Sequence, residues 1–312
     1  MRIIRSIRTA PASASGCVLT IGNFDGLHRG HQAVIERARE RAAELGLPAA
    51  LMTFDPTPRA FFLPHDPPPR LSSLREKMED AACFGIDVFV RARFDRAFAK
   101  LSPEAFLDDL IERRLGARAI LVGRDFRFGH RRAGGIHTLE RFADRRGVEL
   151  LPVPDVYVDG DRVSSTRVRE CLNEGDVPGA ARLLGRAYRV TGRVIGGERL
   201  GRTLGFPTAN LRLERPAALR YGVYAVRVRL ADGSEHAGAA SFGVRPTVNG
   251  RDELLETYLL DFSGDLYGRR IDVFFDHFVR AEAHYDSLEA LTRQMHTDVA
   301  EVRRLLANTS SR

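Results

Sequence analysis

The sequence predicts two domains of different class: an α/β domain with a doubly wound parallel sheet over residues 1–185, and an antiparallel β-domain, barrel or sandwich, with a terminal helix over residues 186–312. Three observations carry this. Up to about residue 155, apolar strand-like runs alternate with amphipathic helical stretches, as strands joined by crossover helices must. Beyond Gly185 the apolar period shortens to two, and no helical stretch returns until the end of the chain. At 312 residues the chain is long enough for two units that each bury a core.

The elements follow in order. "CVLTIG" is a strand, and "HQAVIERARERAAELG" a helix that stops at Gly46. "AALMTF" is the next strand, and "SSLREKMEDAACFG" a helix with a serine cap. "DVFVRARF" is a strand, and "SPEAFLDDLIERRLG" a helix with Ser102 at the N-cap and Pro103 at the first helical position. "ARAILVG", the helix "IHTLERFADRRG" and the strand "VELLPVP" complete the α/β pattern. The proline-rich "LPHDPPPR" reads as a rigid surface loop. In the second half "YRVTGRVIGG", "YAVRVRL", "LLETYLLDF" and "RIDVFFDHFV" alternate with period two, separated by turns such as "ADGS" and "SGD". "DSLEALTRQMHTDVAEVRRLLAN" is the terminal helix, and Asp286 with Glu289 resembles a capping box.

Composition narrows the function class. No apolar run approaches the roughly 20 residues that span a bilayer. The N-terminus lacks the apolar core of a signal peptide. Cys17, Cys83 and Cys171 are odd in number and far apart, with neither metal spacing nor a disulfide framework, so a reducing cytoplasmic setting is expected. The net charge is +7 and the pI near 9.7, which invites a nucleic-acid reading. The basic residues are nearly all arginine and interleave with Asp and Glu, which is the pattern of ion-paired helix faces, not of a nucleic-acid groove.

Two stretches of the first domain carry chemistry. "GNFDGLHRGH", Gly22 to His31, joins a strand to a helix. Such a junction offers unpaired N–H groups and the positive end of a helix dipole to a phosphate. Gly22, Gly26 and Gly30 permit close backbone approach, and His28 and His31 add donors. "DRVSSTRVRECLNEG" sets Ser165 and Thr166 at a helix start, between Arg162 and Arg169. Hydroxyls and guanidinium forks suit a polyphosphate.

In the second domain "GGERLGRTLGFPTAN" runs from Gly196 to Asn210, and its part Gly196 to Thr203 nearly matches a Walker A loop, with Arg202 for lysine. Gly205 and Pro207 forbid the helix a P-loop must enter, so that reading fails. Thr208 and Asn210 lie two apart, which on an extended segment puts both oxygens on one face, as Mg²⁺ beside ATP phosphates would need.

The pair "GNFDGLHRGH" and "SSTRVR" resembles the nucleotidylyltransferase superfamily, with its HxGH and Ser-Thr-x-x-Arg motifs. With "TFDPTPRAFF", "LVGRDFRFGHRRAGG", "YGVYAVRV", "GVRPTVNG", "LLETYLLDFSGDLYGRRI" and "FVRAEAHYDSLEAL", nearly the whole chain resembles the bacterial bifunctional riboflavin kinase / FMN adenylyltransferases (FAD synthetases). The resemblance implies a Rossmann-like nucleotidylyltransferase domain over 1–185 and a six-stranded kinase barrel over 186–312. It implies that His28, His31 and Arg169 act on the phosphates of ATP in adenylyl transfer, and that Glu256 is the base for the riboflavin 5′-hydroxyl. Gly22, Asn23, Asp25, Gly30, Arg162, Ser165 and Thr166 would bind nucleotide in the first site, and Gly197, Arg202 and Thr203 in the second. Phe62, Phe106, Asp125, Phe128 and Arg280 would meet the flavin, with Phe106 readable equally as helix core. Thr208 and Asn210 would coordinate Mg²⁺, and the substrates and products would be ATP, riboflavin, FMN and FAD. Thr57 departs from the family's Pro-His-Pro, and Tyr258 stands where the family often has histidine. The expected partners are small molecules, with no nucleic acid and no membrane; a transient homo-oligomer is left open. Two competing readings are an adenylyltransferase for another phosphorylated metabolite with a flavin-sensing barrel, and a basic nucleic-acid-binding protein.

Overall fold

A computed structural model describes residues 1–9, 16–196, 200–213, 217–247 and 250–309. The chain divides into two compact units, residues 1–68 with 73–164 and residues 69–72 with 165–312. The boundary expected at 185/186 differs from this division, because the helical pair Ser165–Glu174 and Val177–Leu184 clusters with the barrel: Val177–Leu184 packs on its strands.

The first unit is built on six parallel strands: β1 (Arg2–Ile4), β2 (Cys17–Ile21), β3 (Ala49–Asp55), β4 (Val88–Arg93), β5 (Ala117–Gly123) and β6 (Glu149–Val153). Their order across the sheet is β1-β4-β3-β2-β5-β6. Every residue of β2 is buried, as expected for a central parallel strand covered on both faces. Leu19 packs into the layer that holds Phe106 and Phe142, while Val18 packs into the layer that holds Phe24, Leu27 and Phe89. Helix Arg29–Leu45 ends on Gly46 in the left-handed conformation, and helix Leu74–Cys83 opens with a capping box of Ser73 and Glu76. Ser102 caps Pro103–Ala105, which continues through Phe106–Arg114. The edge strand β1 was not legible in the sequence, since three residues are too few to show a period.

After β2 the sheet grows one way through β3 and β4, then restarts on the other side of β2 with β5 and β6. That reversal leaves a crevice beyond the carboxyl ends of β2 and β5, the place where open α/β sheets bind ligands. A small ribbon, β7 (Tyr157–Val158) and β8 (Asp161–Arg162), follows β6.

The second unit is a closed antiparallel barrel of six strands: β9 (Tyr188–Ile195), β10 (Thr208–Arg212), β11 (Gly222–Arg229), β12 (Glu235–Thr247), β13 (Gly250–Leu259) and β14 (Arg270–Ala281). They close in the order β10-β13-β12-β11-β14-β9. The sequence hides β12, "EHAGAASFGVRPT", behind glycine and alanine. Those small residues have a use: Ala237 and Ala239, with Ala225 of β11, form a face on which Val302 and Leu306 of helix Leu288–Thr309 pack. The cap of that helix corrects the expectation of Asp286 with Glu289. The hydroxyl of Ser287 accepts from the Ala290 N–H at 3.1 Å, one residue further on.

Candidate active sites

The first site lies in the crevice at the ends of β2, β5 and β6, a cavity of about 240 Å³ lined by Gly22, His28, His31, Asp125 and Arg162 among others. His28 is the N-cap of helix Arg29–Leu45, and its Nδ1 accepts the backbone N–H of His31 at 3.3 Å. The two imidazoles stack at 3.7 Å and 16°, and His31 leans on Phe24 at 5.0 Å. A Cβ on Gly30 would lie 3.2 Å from the His28 ring, so glycine is what lets the imidazole lie against the helix start. The pair therefore stands at the positive end of a helix dipole, where an anion is favoured.

Asn23 and Asp25 shape the loop. The Asn23 carbonyl accepts from Thr53 Oγ1 at 3.0 Å, and Asp25 is buried at 4% exposure. Arg162 forms ion pairs of 2.9 Å with both Asp125 and Asp155 at the mouth of the crevice. The bond to Asp125, with the added pull of Asp155, holds the guanidinium above its ordinary pKa. Asp155 was missed from the sequence; its signal is an acid two residues past the last buried residue of a terminal parallel strand. Thr20 was missed too: its buried hydroxyl has no hydrogen-bond partner and it lines the same cavity.

Ser165, Thr166 and Arg169 occupy the first turns of helix Ser165–Glu174, in the second unit. Arg169 Nε donates to the Pro69 carbonyl at 2.7 Å. Of the three expected flavin aromatics, Phe62 alone is open to solvent, at 64% exposure, resting against Phe61 and Phe94. Phe128 is buried, 5.3 Å from Phe106 and stacked on Phe126 at 5.5 Å. Phe106, expected at the flavin or in the helix core, is 1% exposed and lodged between Phe98 and Phe128 in the core.

The second site is set by strand register. Asn210 on β10 stands opposite Glu256 on β13, Glu256 stands opposite Ser241 on β12, and Thr208 stands opposite Tyr258. Directly paired residues of antiparallel strands share a face. Thr208, Asn210, Ser241 and Glu256 are thus on one face, while Ala209, Leu211, Leu255 and Thr257 are on the other. Asn210 is 6% exposed, and its Oδ1 is buried with no hydrogen-bond partner. A neutral oxygen left in that state suits a hard cation, so Thr208 and Asn210 fit Mg²⁺. Among the described residues no three His, Cys, Asp or Glu side chains are placed to hold a metal ion.

Phe206, in the same "GFPTAN" segment, touches Tyr258 at 5.3 Å and His296 at 4.9 Å. The glycine-rich loop before it enters only the four-residue helix Leu200–Thr203, in keeping with the rejection of a P-loop. Thr203 is exposed at the end of that helix, Arg202 lies within it, and Gly197 falls outside the described residues. Arg280, also expected at the flavin, is engaged with the terminal helix. Its Nε and Nη2 bind Asp298 at 2.8 and 2.7 Å, and Nη1 donates to the Ala281 carbonyl, so the side chain clasps the terminal helix.

Comparison with known proteins matches two family models to the chain, FAD synthetase over residues 10–167 and riboflavin kinase over residues 184–306. A bifunctional riboflavin kinase/FMN adenylyltransferase of Pseudomonas fluorescens is 43% identical over the full length of both chains. The protein of that name from Haemophilus influenzae is 42% identical over 96% of this chain and 97% of its own. This chain belongs to the bifunctional riboflavin kinase/FMN adenylyltransferase family. In this family member the FAD synthetase match spans the crevice and the riboflavin kinase match spans the barrel and most of its helix. A solved structure from Streptococcus pneumoniae, titled a macrolide-efflux protein, superposes with a TM-score of 0.85 at 29% identity, covering 96% of this chain and 98% of that one. Among the described residues of this family member, no helix is long and apolar enough to cross a membrane.

Proposed function

We propose that the barrel phosphorylates riboflavin with ATP to give FMN and ADP, and that the α/β domain transfers the adenylyl group of ATP to FMN, giving FAD and pyrophosphate. The functional domains are 1–185 and 186–312. The observation that carries the reading is the pairing of Asn210 with Glu256 on one chain with the stacked histidines of the crevice. A flavin-sensing barrel needs neither a buried orphan oxygen nor a carboxylate opposite it.

In the kinase step Glu256 accepts the proton of the riboflavin 5′-hydroxyl, an alcohol too weak as a nucleophile without a base. Thr208 and Asn210 would hold Mg²⁺, which would offset the charge of the phosphates. In the adenylyl step the FMN phosphate attacks the α-phosphorus directly, the bond to the bridging oxygen breaks, and pyrophosphate leaves. His28 and His31, at the positive end of their helix, stabilise the charge that grows on the phosphate oxygens. The phosphate role of Arg162, Ser165, Thr166 and Arg169 rests on their motif. Phe62 offers the open aromatic surface that a flavin ring needs. The enzyme is cytoplasmic on this reading, in line with its free cysteines.

Incubating the chain with riboflavin, ATP and Mg²⁺ and separating the flavins by chromatography tests this. FMN appearing first and FAD second is the expected result. Riboflavin left unchanged, with no FMN formed, would leave the sensor reading standing.

A further inference from the structure

Lys77 and Lys100 are the lysines of a sequence whose lysines and arginines together number 48. A chain that uses arginine almost everywhere has kept lysine at position 77, and there the side chain is 4% exposed. Its Nζ donates to the Asn23 carbonyl at 2.8 Å and lies 3.9 Å from Asp25 Oδ1. Asn23 and Asp25 belong to the strand-to-helix loop that ends in His28 and His31. From the helix Leu74–Cys83, Lys77 therefore reaches the underside of the loop that presents the two imidazoles.

That loop needs holding. Phe24 and Leu27 adopt φ of +46° and +40°, and Gly26 lies between them at +82°. For side chains other than glycine this backbone is unfavourable, and it persists only when the surroundings determine it. Two surroundings do so here. The Phe24 and Leu27 side chains are sunk to 2% and 0% exposure in the core. The Asn23 carbonyl, one residue before the first strained position, accepts from both Lys77 Nζ and Thr53 Oγ1. A compact ammonium on a flexible stem can meet a carbonyl and a carboxylate in a closed space, where a planar guanidinium cannot turn.

We infer that Lys77 is a positioning residue for adenylyl transfer: its buried ammonium fixes the left-handed loop so that His28 and His31 stand at the phosphate site. It touches no substrate. The inference rests on the adenylyltransferase reading of this crevice. It requires that a cation at this point, not the hydrocarbon stem alone, sets the rate.

Chemical rescue tests it in the full chain. Lys77→Ala should lower kcat for FAD formation from FMN and ATP by about 100-fold, with KM for ATP within threefold, while riboflavin phosphorylation by the same preparation stays within twofold. Added n-propylammonium should restore FAD formation in a saturable way, and n-propanol should not. No rescue, or equal rescue by the neutral alcohol, overturns the inference. Should Lys77→Ala fail to fold, Lys77→Met fills the space without the charge. Loss of FAD formation with the kinase intact then supports the inference, and FAD formation within twofold of the parent, or equal loss of both activities, overturns it. The unmodified chain is the control. If it makes no FAD from FMN, the reading of the crevice falls; if it makes FAD and Lys77→Ala does so equally fast, only the role of Lys77 falls.

Discussion

Replacing Asp298 by alanine should unfasten the terminal helix from the barrel. Asp298 takes two hydrogen bonds from Arg280, at 2.8 and 2.7 Å, and a third from Gln294 at 2.8 Å. The Asp298 side chain is 8% exposed and that of Arg280 24%. Removing one partner of a buried pair costs about 3–5 kcal/mol, since the other charge is left in a poor solvent. An exposed pair is worth only about 0.2–1 kcal/mol. Arg280 reaches water in part, so a loss of roughly 2–3 kcal/mol is expected, between those limits. In a unit of this size that lowers the midpoint of thermal unfolding by roughly 5–10 °C. Calorimetry of Asp298→Ala, Arg280→Ala and the double variant reads the coupling directly. If the pair acts as a clasp, the double variant loses little more than either single one, and both singles alter the riboflavin KM alike. A loss under about 0.5 kcal/mol refutes the clasp by matching a surface pair. A riboflavin KM raised by Arg280→Ala but untouched by Asp298→Ala would return Arg280 to the flavin.

Glu256→Gln should lower kcat for riboflavin phosphorylation by about 100-fold or more while FAD formation from supplied FMN continues; equal loss of both would remove the base assignment. Arg169→Ala should do the reverse, sparing the kinase, and FAD formation at the parent rate would refute its role. Phe106→Ala, a truncation inside the core, should cost about 3–5 kcal/mol in denaturant unfolding, whereas a ring serving mainly as a flavin wall would cost much less. Burial, opposed weakly by Arg2, pushes the Cys17 thiol up to about 12 from 9.0, so Cys83, the exposed one of the three, should react alone with a thiol reagent at pH 8. The folded chain keeps the Cys17 proton above pH 9 and the unfolded chain releases it, so this group makes stability fall by about 1.4 kcal/mol per pH unit from pH 9 toward 12. Stability rising over that range would refute the burial argument.

Much of this molecule was legible before any coordinates. The central strands β2 and β3 announce themselves because strands covered on both faces are continuous apolar runs, and Gly46 and Ser102 announce helix ends because their backbone roles are local. The loop of His28 and His31 was equally plain, since a glycine-rich strand-to-helix join is itself a local pattern. β12 was hidden, because its alanines and glycines serve the approach of a helix about fifty residues further along.

The residue types of both sites were set by the sequence, and their company was decided by the fold. Nothing near Asn210 in the chain tells that Glu256 will stand opposite it; barrel register does that. Nothing near Arg280 tells that Asp298 will take up its guanidinium, nor near Phe106 that Phe98 and Phe128 will close around it. Short-range patterns follow from backbone geometry and the periods of helix and strand, which a segment carries within itself. Pairing and burial are long-range, and exist only once distant segments have packed.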